Sequence, residues 1–251
     1  MEESAISISN LQKSFGAQQV LKGTCLEIPK GKITMILGQS GQGKSVLLKI
    51  LMGLIEPDSG TIAVEGVNPF ELGAQERIAF SKKFGMVFQN SALFDSMTVE
   101  ENVAFPLVEH TSFSDVKIRE IVEKILSDLG LPDILHKIPS ELSGGMKKRV
   151  GLARALVLKP EIILYDEPTT GLDPLLADSV DGLILETQRR LGVTSVVVSH
   201  DIVAAFKIGD KLALLHDGKI LEEGPPEQFR QSKKPFVQEF ILGRAKKDFI
   251  G

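Results

Sequence analysis

Gly38-Gln39-Ser40-Gly41-Gln42-Gly43-Lys44-Ser45 interrupts the chain between two kinds of periodicity. Before it, residues 32–37 are apolar enough for a buried strand. After it, Val46, Leu47, Ile50, Leu51 and Leu54 recur at helical spacing until the turn residues Pro57-Asp58-Ser59-Gly60. The eight residues fit G-x-x-x-x-G-K-[ST]. Between a strand and a helix, such a loop lets its backbone N–H groups surround phosphate oxygens while the helix presents the positive end of its dipole. Lys44 is then expected to reach the β and γ phosphates of a nucleotide, and Ser45 to offer its hydroxyl to Mg²⁺. The bland alternative is a glycine turn capping an ordinary helix.

Working outward, strand-like runs occupy residues 5–10 and 20–28 upstream, then 61–64, 84–88, 162–165, 194–198, 211–215 and 219–222. Helices are expected from Ser143, from Pro174 and over 235–242. The chain becomes helical over about residues 99–135, with Ile118, Ile121, Val122, Ile125, Leu126 and Leu129 on one face. Strands that alternate with helices imply an α/β fold with a mainly parallel sheet, into which that middle segment is inserted.

Composition bounds what such a fold can do. The 251 residues are 43% hydrophobic, enough for the core of one large domain. A formal charge of −4 leaves no basic surplus to neutralise a phosphate backbone, which argues against nucleic acid as a partner. The lone Cys25 excludes an internal disulfide and reads as a core strand residue. Met1-Glu2-Glu3-Ser4 is acidic with no apolar stretch behind it, unlike a secretory signal, and no run reaches the ~18 to 20 apolar residues that span a bilayer. Work at a membrane would therefore require docking on a protein that spans it.

A second chemical element is Ile162-Ile163-Leu164-Tyr165-Asp166-Glu167, an apolar strand ending in two carboxylates, where parallel sheets open onto their ligand crevice. Asp166 there would help hold Mg²⁺, usually through water, and Glu167 would polarise an attacking water as general base. A turn residue or helix cap is the alternative for either one. A third element, Leu142-Ser143-Gly144-Gly145-Met146, opens a helix with Ser143 as its N-cap. Lys147, Lys148 and Arg149 follow where cations oppose the helix dipole, an arrangement that an anion would compensate; a solvated basic face is the alternative.

The order of these motifs resembles the ATP-binding-cassette (ABC) ATPases: Leu142-Ser143-Gly144-Gly145-Met146 is similar to the LSGGQ signature, and the resemblance covers about residues 5 to 230. It implies a P-loop NTPase of ABC type, with an antiparallel β part and a helical subdomain at about 90–158, within a domain of residues 1–240 that is followed by a tail, 241–251. It also implies an adenine-stacking aromatic, matched by Phe15, and a Q-loop glutamine acting on Mg²⁺ and the attacking water, matched by Gln89. Asp173 matches the D-loop and His200 the switch histidine. Gly38 to Ser45, with Val46, would line ATP, while Ser143, Gly144 and Gly145 would close over the ATP of a second copy in a head-to-tail dimer. Read as plain sequence, Asp173 before Pro174 is also a good helix N-cap, and Phe15 could be core.

Within that family, the stretch Ser91-Ala92-Leu93-Phe94-Asp95-Ser96-Met97-Thr98-Val99-Glu100-Glu101-Asn102-Val103-Ala104-Phe105-Pro106-Leu107 closely resembles the ATPase of the Mla/Mce phospholipid transporters, as do Val46 after the phosphate loop and Met146 in the signature. The resemblance implies an ATPase at the cytoplasmic face of a bacterial inner membrane, bound to an integral permease and working with a membrane-anchored Mce-domain protein. Two other classes are an importer ATPase for amino acids or other small solutes and a soluble ABC protein acting on ribosomes or DNA. The latter usually carries two cassettes or a long coiled-coil insertion, and neither occurs here. His110, His136 and His216 have no partners at metal-ligand spacing, and the tail after Gly224-Pro225-Pro226, with its basic run Arg244-Ala245-Lys246-Lys247, reads as a frayed, solvated end, the alternative being a contact to the other subunit or the permease.

Overall fold

A computed structural model describes residues 3–243; the basic run Arg244-Ala245-Lys246-Lys247 lies outside the described residues. The chain opens with a long hairpin, β1 (Ser4–Phe15) and β2 (Gln18–Pro29), then β3 (Ile33–Leu37), the phosphate loop and α1 (Lys44–Leu51). There follow β4 (Ser59–Val64), α2 (Ala74–Ser81) and β5 (Phe84–Val87), before the helices α3 (Val99–His110), α4 (Asp115–Asp128) and α5 (Gly144–Leu156). Alternation then resumes with β6 (Ile162–Asp166), α6 (Pro174–Leu191), β7 (Thr194–Ser199) and α7 (Ile202–Ile208). The antiparallel pair β8 (Lys211–His216) and β9 (Lys219–Gly224) leads to α8 (Pro226–Arg230) and α9 (Pro235–Ile241).

The main sheet has the order β5-β6-β7-β3-β8-β9, with β9 alone antiparallel, and β2-β1-β4 forms a separate antiparallel sheet. Alternation along the central strands assigns side chains to two cores, as a period of two requires. Ile33, Met35 and Leu37 of β3, with Ile163 and Tyr165 of β6, pack towards α3 to α6. Ile36, Ile162, Leu164, Val196 and Val198 face α1 and the antiparallel sheet. Covering both faces buries five of five residues in β3 and six of six in β7. Each fully buried Val, Leu or Ile contributes roughly 1.5–3 kcal/mol against solvent exposure, so this layer is the rigid base of the molecule.

Two sequence expectations change, and a third gains detail. Cys25 is exposed, because Thr24, Leu26 and Ile28 take the inward positions of β2 and strand alternation turns Cys25 and Glu27 outward. The helical segment at about 99–135 holds two helices: α3 ends at His110, Thr111 takes extended backbone, and Ser114 caps α4. Thr98 and Glu101 form a reciprocal capping box at the start of α3, which fixes that end as the periodicity predicted. The described part of the chain's end is packed rather than frayed, with Phe229 of α8 and Val237 of α9 buried and the Phe236 ring 3.9 Å from that of His216.

Candidate nucleotide site

Sheet register brings the functional segments together. Leu37, the last residue of β3, pairs with Ser199 of β7, and Asp166 of β6 pairs with Val198, so the phosphate loop, Glu167 and His200 emerge from one edge. Glu167 turns back at once: its φ is +50° and its N–H donates to Val198 O at 3.0 Å. A non-glycine residue in the left-handed region costs about 1–3 kcal/mol, and here the strain aims the carboxylate at the loop instead of along the strand.

Within the loop, glycine is required by space. A β-carbon on Gly38 would stand 2.5 Å from the carbonyl oxygen of Leu215, and one on Gly43, whose φ is +95°, would stand 2.8 Å from Val20 Cγ1. Gln42 ties the loop to the β8–β9 turn, its Oε1 accepting from the Asp217 N–H at 2.6 Å. Lys44 is the first residue of α1 and is buried; its ammonium donates to the carbonyls of Gly38 at 2.7 Å and Gln39 at 3.1 Å and lies 3.2 Å from Glu167 Oε1. Ser45 Oγ donates to Asp166 Oδ1 at 3.0 Å. The far side of Glu167 is held as well, by His200 Nδ1 at 2.7 Å and by the Thr170 hydroxyl at 3.0 Å, both on Oε2. Ser40, Gly41, Gly43, Lys44, Ser45, Val46 and Glu167 line a cleft of about 340 Å³ with Val20.

These residues fit ATP and Mg²⁺. Among the described residues no three carboxylates, histidines or cysteines cluster as a metal cage. One hydroxyl and one carboxylate in contact are instead the donors expected of an ion that takes its remaining oxygens from phosphate and water. The Lys44 ammonium, surrounded by carbonyls at the mouth of a glycine loop and a helix N-terminus, matches a polyanion.

Phe15 closes β1 and is 48% exposed, so it is not core. Asp58 braces it, accepting from Lys13 Nζ at 2.9 Å and from the Ser14 N–H at 2.6 Å; these bonds hold the Asp58 carboxyl below the usual carboxylate range. Gln89 is exposed just beyond β5, and its side chain makes no hydrogen bond to the other site residues among those described. Ser143 caps α5, accepting from the Met146 N–H at 3.3 Å, and Asp173 caps α6, accepting from the N–H groups of Leu175 and Leu176. Ser143, Gly145 and Met146 line a second cleft against Leu176, Ser179, Val180 and Leu183, and it shares no residue with the phosphate cleft.

Sequence reasoning missed Thr170 and the contact that Lys148 makes. Thr170 carries no signal beyond its place three residues after Glu167. Lys148 is not on a solvated face: it is buried and donates to the Gln89 carbonyl. Arg149 reaches towards the Leu129 carbonyl at 3.5 Å.

The family profile described as ABC transporter matches residues 21–170. A probable ribonucleotide transport ATP-binding protein of Mycobacterium leprae is 42% identical over 240 residues, 96% of this chain and 69% of that protein. The intermembrane phospholipid transport system ATP-binding protein MlaF of Haemophilus influenzae is 39% identical over 245 residues, 98% of this chain and 93% of that protein. Among solved structures, the dimeric, post-hydrolysis ATP-binding cassette MJ0796 with ADP and Pi superposes with a TM-score of 0.78 at 32% identity, over 88% of this chain and 98% of that one. Similarity of this extent takes in the strands and helices that aim the site, not one loop alone, and the chain therefore belongs to the ABC transporter family as an ATP-hydrolysing subunit that uses ATP with Mg²⁺.

Proposed function

We propose that this chain energises a phospholipid transporter of the Mla/Mce type. The observation that carries this reading is the nearly end-to-end match to MlaF, together with the resemblance of residues 91–107 to that group. Those residues build the turn at Ser91 and Ala92 and the start of α3. Phe94 and Phe105, with rings 5.2 Å apart, stand exposed beside Phe88 on a cleft of about 540 Å³. Such an apolar groove on the Q-loop side suits a helix of an integral permease. No described helix is long and apolar enough to cross a membrane, so attachment to the cytoplasmic face of a bacterial inner membrane would run through that permease, with a membrane-anchored Mce-domain protein as a further partner.

In the site, Glu167 is the general base. His200 and Thr170 orient its carboxylate through Oε2. Lys44 would exchange Glu167 for the β and γ phosphates, and Ser45, Asp166 and Gln89 would hold Mg²⁺, which would supply charge neutralisation on the phosphates. Phe15 stacks on adenine. Ser143, Gly144 and Gly145, at the tip of the helical subdomain near 90–158, serve the nucleotide of a second copy, with Asp173 at the seam. The separation of the two clefts within one chain supports the head-to-tail dimer.

Isolation of the chain from native membranes with its bound partners tests cargo and partners together. Co-purification of an integral permease and an Mce-domain protein with phospholipid is the expected result. A nucleoside-binding or amino-acid-binding partner in their place would make this a solute transporter ATPase, and association with ribosomes or DNA would remove it from transport.

A further inference from the structure

Three positions on α5, each three residues from the next, hold the loop that follows β5. Lys148 donates its ammonium to the carbonyl of Gln89. Gly151 lets the backbone of Ser91 come close: a β-carbon there would stand 3.3 Å from Ser91 Cβ and 3.4 Å from its carbonyl oxygen. Arg154 donates to the Ser91 carbonyl at 2.9 Å and the Ala92 carbonyl at 2.8 Å. Residues three apart on a helix follow one another along one side, so these make a continuous seam.

Two further observations show that the seam is not incidental. Ser91 and Ala92 both have positive φ, +59° and +44°, a conformation that non-glycine residues adopt only where their surroundings impose it. Lys148 is 7% exposed, and its partner among the described residues is the Gln89 carbonyl, not a carboxylate. Burying an ammonium without a counter-charge is unfavourable, so a neutral side chain would serve packing better. The carbonyl of Gln89 is what the charge is spent on.

We propose that Lys148 is a positioning residue for Gln89, fixing the loop after β5 to the helix that begins at Ser143-Gly144-Gly145 so that Gln89 and the signature segment move as one body. The inference rests on the reading of Gln89 as a Mg²⁺ and water-orienting residue. In a head-to-tail dimer the signature segment would meet one nucleotide and Gln89 the other, so the clamp would transmit closure at one site into the geometry of the second.

The test compares Lys148→Met, Lys148→Arg, Gln89→Ala and the Lys148→Met/Gln89→Ala double variant in the native complex. It reads ATP affinity, kcat, the Mg²⁺ concentration for half-maximal rate and melting temperature. Met keeps the length and apolar stem of Lys148 and removes the donor. Lys148→Met should lower kcat about tenfold and raise the Mg²⁺ requirement, with ATP affinity and melting temperature close to the parent, because a small misplacement of a positioned group is enough to slow chemistry. Lys148→Arg should recover most of the rate, and the double variant should be no slower than Gln89→Ala alone. Parent-like Lys148→Met beside an impaired Gln89→Ala, or additive losses in the double variant, would overturn the clamp while leaving the role of Gln89 standing. A parent-like Gln89→Ala would remove the role of Gln89 and the clamp with it. Should Lys148→Met fail to fold, Arg154→Gln reads the same seam: a raised Mg²⁺ requirement supports it and an unchanged one overturns it.

Discussion

The Lys44 ammonium and the Glu167 carboxylate form an ion pair of 3.2 Å, with side chains 7% and 15% exposed. In this arrangement the two groups proposed to act on different parts of the nucleotide neutralise each other. On that reading a γ phosphate competing for Lys44 would separate a shielded pair, and the carboxylate it released would remain held by His200 and Thr170. Partial burial makes the exchange strong in both directions, since removing one member of such a pair leaves the other desolvated and unpartnered.

Replacing Glu167, the proposed general base, by Gln is expected to separate binding from turnover. The amide keeps the shape of the side chain but cannot take a proton from water, and it no longer competes with phosphate for Lys44. ATP affinity should equal or exceed that of the parent, while phosphate release should fall by roughly 10²–10⁴-fold. Equilibrium nucleotide binding and a phosphate-release assay check the two halves; release within threefold of the parent would exclude Glu167 as the base.

The exposed ring of Phe15 should contribute to affinity but not to folding. Phe15→Ala is expected to weaken ATP by roughly tenfold, the magnitude of one base–aromatic stack, and to weaken GTP comparably because every base offers a π face. The melting temperature should stay near the parent value, since the ring is 48% exposed. Titration with both nucleotides, followed by thermal denaturation, measures this.

Gly38→Ala should fail through space rather than chemistry. The added methyl meets the Leu215 carbonyl oxygen at 2.5 Å, so the loop or β8 must shift. We expect a loss of about 1–3 kcal/mol in urea denaturation, the usual effect of overpacking, together with weakened nucleotide binding. Gly41→Ala, where a β-carbon meets nothing within 4 Å but φ is +81°, should retain more stability and serves as the comparison.

Asp181, buried on α6, gives stability a pH dependence. Burial chiefly, and then the charge of Asp201, push its carboxyl up from 3.8 to about 6, with Lys207 opposing and Asp178 adding. Between those values the folded chain holds a proton that the unfolded chain releases, so stability falls as pH rises through the window; the penalty is complete above about 6 and relieved below 3.8. Asp181→Asn should therefore stabilise the protein at pH 8 by about 1–3 kcal/mol, and its advantage should shrink towards pH 4. Urea midpoints of both proteins across this range isolate the residue, because other titrating groups are common to the two.

The central strands and the starts of α1, α3, α5 and α6 were legible because each carries a local signature. Continuous apolar runs mark the buried strands, helical periodicity marks the segments from 44 and from 99, and Ser143 and Asp173 read as N-caps. Helices α2, α7 and α8, of eight, seven and five residues, are too short to display a helical period and were not anticipated; α7 opens where Asp201 accepts from the Ala204 N–H at 3.0 Å. Cys25 was misplaced because residue type was read before parity: Leu26 and Ile28 mark the inward side of β2, and Cys25 shares the outward side with Glu27.

The sequence by itself determined the chemistry: a glycine loop with Lys44 and Ser45, two carboxylates ending an apolar strand, and a capped helix with two glycines at its start. Those are local facts, set by side chains a few residues apart. Only the tertiary structure decided what the residues do to one another. Pairing β6 with β7 and β7 with β3 lays Glu167 against Lys44 and His200 although 123 and 33 positions separate them, and packing α5 on the loop after β5 turns Lys148 from an apparent surface charge into a buried hold on Gln89. Such contacts depend on strand order and on which helix face is covered, and neither is written in the spacing of residues along the chain.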